Sequence, residues 1–190
     1  MKRNVLIRCA LGVVIGAAVI AAAQSPLLDW REPIYIGAGF AGIFAMGLLL
    51  LQPVLARNWA GLKNVTQARR CHQWVGGLIL AGVLLHVLGL WITSPPDVID
   101  ALAFKSPTPF SAWGVVAMWA LFLSTLLFAL KRRLSWSPGR WRLVHQGLVI
   151  IVVAGSVVHA LLIEGTMEEV TKVVLCSAVS VALAWALWRG

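Results

Sequence analysis

The chain has 190 residues, 60% of them hydrophobic and only 12% charged, with 16 Lys and Arg against 7 Asp and Glu and a formal net charge of +9. A soluble domain of this length has no use for so much apolar surface, so the composition points to an integral membrane protein. It excludes a nucleic-acid-binding module, whose basic residues would sit on a soluble domain.

Six apolar stretches of membrane-spanning length are read along the chain, at about 5–23, 34–56, 71–93, 110–130, 141–163 and 170–188. They are continuously apolar rather than alternating, which disfavours a barrel. The expected fold class is all-α, a six-helix transmembrane bundle forming a single domain over residues 1–190. Lys2 and Arg3, an apolar run and Ala21 to Ala23 before Gln24 could also form a signal peptide. The length of that run and the position of Arg8 favour a retained first helix. Pro53 lies near the end of the second stretch, where a kink or an early stop is expected. The third opens on Arg69, Arg70, Cys71, His72 and Gln73 and later carries His86. It should break at Ser94, Pro95 and Pro96, since neither proline can continue the helix. Ser106, Pro107, Thr108 and Pro109 lead into the fourth, and Ser137, Pro138 and Gly139 form the turn before the fifth. The fifth repeats the pattern of the third: Arg140 and Arg142, then His145, Gln146 and an apolar run to His159.

Charge orients these segments. Lys2, Arg3, Arg8, Arg57, Lys63, Arg69, Arg70, Lys131, Arg132, Arg133, Arg140, Arg142 and Arg189 hold 13 of the 16 basic residues and fall on one side of the expected topology. The opposite connections hold Arg31, Lys105 and Lys172 with all seven acids, Asp29, Glu32, Asp97, Asp100, Glu164, Glu168 and Glu169. By the positive-inside rule both termini are expected in the cytoplasm, and a multi-pass protein of a bacterial inner membrane is expected.

The four histidines are the chemical signal. His72 and His86 are fourteen positions apart, and so are His145 and His159. On a helix that spacing returns to within about 40° of the same face and rises about 21 Å. The two carrier helices run in the same direction, so His72 levels with His145 near the inner surface and His86 with His159 near the outer. Ionisable groups inside a span are costly and are functional candidates. Zinc needs three or four ligands in one small tetrahedron, which two distant pairs do not supply. Two histidines per level instead suit the axial positions of a haem iron, giving two haems b. No vacant iron position would then remain, so such haems transfer electrons rather than bind substrate.

Gly76, Gly77, Gly82, Gly89, Gly147, Gly155 and Ser156 flank these histidines and would either make room for a macrocycle or pack helices closely. Arg69, Arg70, Arg140 and Arg142 could pair with propionates of the inner haem, or act only as topology determinants and snorkelling anchors. Trp30, Trp59, Trp91, Trp136, Trp141 and Trp188 suit an aromatic belt, while Trp74, Trp113, Trp119 and Trp185 lie deeper, where haem contact is open to them. Cys9, Cys71 and Cys176 lack metal-ligand or redox spacing, and no motif for covalent haem attachment occurs.

Two parallel spans, each with two histidines separated by thirteen residues, resemble the ferric reductase-like transmembrane domain family. That group includes ferric and cupric reductases, superoxide-generating oxidases and the haem-binding subunit of the periplasmic methionine sulfoxide reductase system. The stretch from His159 to Glu168 is similar to the fifth-helix exit of stand-alone bacterial members. The resemblance implies that His72 and His145 ligate a cytoplasmic-side haem b, and His86 and His159 an outer one.

The sequence has no Gly-rich dinucleotide motif, and nothing in it supports a bound flavin. A separate electron donor is therefore expected, either a cytosolic flavoprotein or membrane quinol, with an acceptor on the outer side that is a periplasmic protein or a small oxidant. The basic inner face would suit an acidic donor by electrostatic steering. Membrane lipid is the other expected partner. The alternative is a self-sufficient metalloreductase reducing ferric chelates or oxygen at the outer haem. A transporter or purely structural subunit is disfavoured, since no acid lies within a span and no inverted repeat is visible.

Overall fold

A computed structural model describes residues 2–189. Met1 and Gly190, the ends of the expected domain, lie outside the described residues. The protein is all-α among those residues. Six helices are long and apolar enough to cross a membrane: α1 (Lys2–Ala23), α2 (Pro33–Ala56), α3 (Val65–Thr93), α5 (Pro109–Leu134), α6 (Pro138–Leu162) and α7 (Glu169–Trp188). A short helix, α4 (Pro95–Leu102), and a 3₁₀ turn (Pro26–Leu28) complete the order.

The helix starts follow local chemistry. Pro33, Pro95, Pro109 and Pro138 each occupy the first position of a helix, where the missing N–H has no partner to lose. Asn64 caps α3 by accepting from the Gln67 N–H at 2.7 Å, and Ser137 caps α6 by accepting from the Arg140 N–H at 3.3 Å. The Glu168 carboxylate accepts from the N–H groups of Val170 and Thr171 at the head of α7, at 2.8 and 3.0 Å. Those bonds hold its carboxyl below the usual carboxylate range.

Three details differ from the sequence reading. α2 runs on through Pro53 and ends one turn later. The stretch after Thr93 is not a plain loop. Ser94 leaves the helical conformation (φ −149°, ψ 75°), and its hydroxyl donates to Asp97 three residues on, so that Pro95 and Pro96 open α4. Lys172 lies inside α7 rather than in the connection before it. It is buried, with Nζ 3.2 Å from the exposed Glu169 carboxylate.

The chain forms two compact units, divided at Val98/Ile99 and Ile163/Glu164. The first contains α1, α2, α3 and α7. Between apolar helices in a membrane there is little hydrophobic drive, so packing falls to small residues that let backbones approach. Gly82 of α3 meets Ala41 and Ala45 of α2, and Gly89 meets Ala38, where an added Cβ would lie 2.8 Å from the alanine's own. Leu175, Cys176 and Val179 form the buried face of α7, which packs on α1 and α2. The Arg8 guanidinium donates to the carbonyls of Ala60 and Gly61, and that of Arg57 to the carbonyl of Ala186. These bonds gather the start of α1, the α2–α3 turn and the end of α7 at one basic end. The second unit is the α5–α6 hairpin, closed by a turn in which Ser135 adopts a left-handed conformation (φ 48°). Gly155 of α6 packs on Trp113 and Ala117 of α5, where an added Cβ would fall 2.8 Å from the Trp113 carbonyl. Lys131, Arg132, Arg133, Arg140 and Arg142 make the turn of this hairpin its basic end.

Candidate functional site

Each unit carries one histidine pair, on the second helix of an antiparallel hairpin. In the α2–α3 hairpin, His86 Nδ1 lies 2.8 Å from the Ala38 carbonyl oxygen, and His72 Nδ1 lies 3.2 Å from that of Gln52. In the α5–α6 hairpin, His159 Nδ1 lies 2.9 Å from the Phe110 carbonyl oxygen, and His145 Nδ1 lies 3.1 Å from the Ser124 hydroxyl. A carbonyl oxygen only accepts, so in three of the four rings Nδ1 carries the proton and donates it. The other ring nitrogen, Nε2, then bears the lone pair that a metal ligand requires. Fixing the tautomer and ring plane through Nδ1 is how proteins prepare imidazole for metal binding.

The partners repeat as regularly as the histidines. Adding 73 to His72 and His86 gives His145 and His159; adding 72 to Ala38, Gly42 and Gln52 gives Phe110, Gly114 and Ser124. The glycines in this set explain how the rings reach their carbonyls. A helical carbonyl already accepts from the N–H four residues on, which for Ala38 is Gly42 and for Phe110 is Gly114. Its second lone pair takes the histidine. In these two seats the ring lies against residue i+4, where a glycine leaves it room. A Cβ at Gly42 would be 3.2 Å from His86 Nδ1, and one at Gly114 would be 2.7 Å from His159 Nδ1. The Phe110 ring also meets His159 edge-on, at 5.7 Å.

The flanking glycines named from sequence divide between their two readings. Gly82, Gly89 and Gly155 serve close helix packing, whereas Gly77 and Gly147 have no heavy atom within 4 Å of an added Cβ. Gly76 approaches only Gln52 Nε2, at 3.3 Å. That amide donates to the His72 carbonyl, so Gln52 and His72 clasp each other across α2 and α3. Arg69, Arg70, Arg140 and Arg142 are all exposed, each pair at the basic end of its own hairpin. Trp141, read as a belt residue, stacks on His145 with centroids 5.8 Å apart and planes 8° from parallel. Of the deeper tryptophans, Trp74 is 77% exposed, Trp119 packs on Phe122, and Trp185 sits beneath the Arg189 guanidinium. The three cysteines are unbonded to one another.

The arrangement suits a macrocycle that brings its own equatorial ligands. Among the described residues, no three His, Cys, Asp or Glu side chains gather where they could hold a bare metal ion. What the chain offers instead is separate, oriented imidazoles, the donor set of bis-histidine haem. Gly42, Gly114 and Ser124 escaped the sequence reading, although their shared offset, one residue from that of the histidines, was a signal for them.

Comparison with the curated proteins and with the solved structures gives no match. The model of the family described as "Ferric reductase like transmembrane component" matches residues 38–156. The matched stretch runs from Ala38, whose carbonyl holds His86, across both hairpins and takes in His72, His86 and His145. It ends three residues before His159, whose seat on Phe110 and Gly114 repeats that of His86 on Ala38 and Gly42. With more than half of its length matched, the chain belongs to the ferric reductase-like transmembrane family.

Proposed function

We propose that this protein carries electrons across a membrane through two b-type haems, one held by His72 and His145, the other by His86 and His159. The observation behind this reading is the repeated seat, in which Nδ1 of each histidine bonds to the neighbouring helix of its own hairpin. The pairing follows the expected topology, in which both histidine-bearing helices start from a basic end. By the positive-inside rule that end, with both termini, faces the cytoplasm, and we assign the chain to a bacterial inner membrane. Arg69, Arg70, Arg140 and Arg142 are then placed to meet the propionates of the inner haem.

When bound, each haem would take up and pass on one electron as its iron alternates between ferric and ferrous. The chain's own part would be to offer Nε2 of each histidine to the iron, to fix the ring planes through Nδ1, and to surround the path with apolar side chains. Electrons would come from a flavoprotein or quinol at the basic end and leave to a periplasmic protein or small oxidant. The family's description favours one second reading, outer-sphere reduction of a ferric chelate at the outer haem, for which bis-histidine ligation leaves no obstacle.

The test is vectorial transfer. Haem-loaded protein is sealed into vesicles with ferricyanide inside, and an impermeant reductant is added outside. The expected result is protein-dependent loss of the ferricyanide colour. Loss no faster than in protein-free vesicles would overturn the proposal.

A further inference from the structure

Three of the four histidines are held by main-chain carbonyls, whose positions the helix fixes. His145 is held by side chains. Its Nδ1 bonds to the Ser124 hydroxyl at 3.1 Å, and its ring lies parallel to the Trp141 indole four residues earlier on α6, with centroids 5.8 Å apart. The indole in turn carries Lys131 Nζ at 4.8 Å from its ring centroid and is flanked by Phe128 at 6.5 Å. Trp141 thus meets both Lys131 and His145 within the α5–α6 unit, at its basic end.

Each member acts on the imidazole in a different way. A hydroxyl accepting from Nδ1–H draws the ring towards imidazolate, and a more basic axial ligand favours ferric iron. The stacked indole resists rotation of the ring about its Cβ–Cγ bond, so it holds the plane of the ligand. The ammonium over the indole that stacks on the ligand adds positive charge in its neighbourhood, which favours the ferrous state. Side-chain control leaves this one ligand adjustable by substitution, in contrast to the carbonyl-held three.

We propose that Ser124, Trp141 and Lys131 are positioning residues that set the ligand plane and the potential of the haem bound by His145, with Ser124 and Lys131 pulling the potential in opposite directions. This rests on the haem reading above. Opposite signs are the distinguishing feature, since simple damage to the hairpin would move the potential the same way in both variants.

The test uses haem-loaded full-length protein, with spectroelectrochemistry and low-temperature electron paramagnetic resonance of the ferric haems. The His145 haem is identified as the one lost in His145→Ala. Ser124→Ala is expected to raise its potential, and Ser124→Thr to return it towards the wild-type value. Lys131→Gln is expected to lower it, and Trp141→Leu to shift its low-field resonance while the other haem's stays put. Unchanged potentials in both Ser124→Ala and Lys131→Gln, or shifts of the same sign, would overturn the inference while leaving the haem reading intact. Should Ser124→Ala shed the haem, retention in Ser124→Thr together with the downward shift in Lys131→Gln supports it, and failure of either overturns it. A wild-type protein that binds no haem defeats the haem reading itself.

Discussion

The α2–α3 and α5–α6 hairpins solve the same problem with different parts. Away from the basic end both use a main-chain carbonyl with a glycine four residues on, Ala38 with Gly42 and Phe110 with Gly114. At the basic end they diverge. Gln52 offers its backbone oxygen to His72, whereas Ser124 offers its side chain to His145. A backbone acceptor survives any substitution that keeps the helix, and a side-chain acceptor does not. The two hairpins should therefore respond differently to equivalent changes.

The largest difference should come from the two seat glycines. In Gly114→Ala the new Cβ would lie 2.7 Å from His159 Nδ1 and 3.0 Å from Cε1, and the ring can retreat only by giving up Phe110. Overpacking of this kind costs about 1–3 kcal/mol, a loss of roughly 5- to 150-fold in affinity for the outer haem. In Gly42→Ala the contact at 3.2 Å is tight but can relax, so the loss there should be several-fold smaller. Transfer of haem to an apo-globin measures both; equal losses would break the comparison.

Next come the glycines of the helix seams. Gly155→Ala drives a Cβ to 2.8 Å from the Trp113 carbonyl and 2.9 Å from Ala117, both on rigid backbone. It should destabilise the α5–α6 hairpin by about 1–3 kcal/mol in detergent unfolding. Gly82→Ala, which meets Ala45 at 3.3 Å, should cost well under half as much. A smaller effect still is expected of Gln52→Leu. It removes the amide that donates to His72, and with it a buried Oε1 that has no hydrogen-bond partner among the described residues, but it keeps the backbone acceptor. The haem bound by His72 and His145 should be retained, its spectrum almost unmoved, in contrast to Ser124→Ala.

The weakest lever lies outside both hairpins, at Glu168. Its carboxyl is held low chiefly by the N–H groups of Thr171 and Val170. A depressed value means that this cap stabilises the start of α7 at pH above the ordinary carboxylate range and is lost as pH falls through the lowered value. Amide exchange at Val170 and Thr171 should show excess fraying in acid, beyond the intrinsic pH dependence, in wild type. Glu168→Gln should remove that excess; its persistence would assign the pH response to another group.

The spans and the histidine pairs were legible in the sequence because apolar length and a fourteen-residue spacing are properties of residue type and position alone. The seats were harder to read. Every residue has a carbonyl, so nothing in the letters marks Ala38, Gln52 or Phe110 as an acceptor. Nothing but an offset shared with the histidines' partners distinguishes Gly42 and Gly114 from other small residues of membrane helices. α4 hid behind two prolines that were read as breakers, although Ser94 with Asp97 three residues on is a helix-start pattern. Lys172 was counted with the charges of the connection although the stretch at 170–188 already contained it, and its partner Glu169 lies in the first turn. Trp141 was read from its place near a span end, which hid its i,i+4 relation to His145.

The central claim, that the two hairpins together present four axial ligands to two haems, is tested most directly by haem content per chain in wild type and in His159→Ala. We expect two b-type haems per chain in wild type and one in the variant, with the remaining haem still low-spin. A wild-type protein purified folded from haem-replete cells without Soret absorption would contradict the account, as would full retention of both haems in His159→Ala.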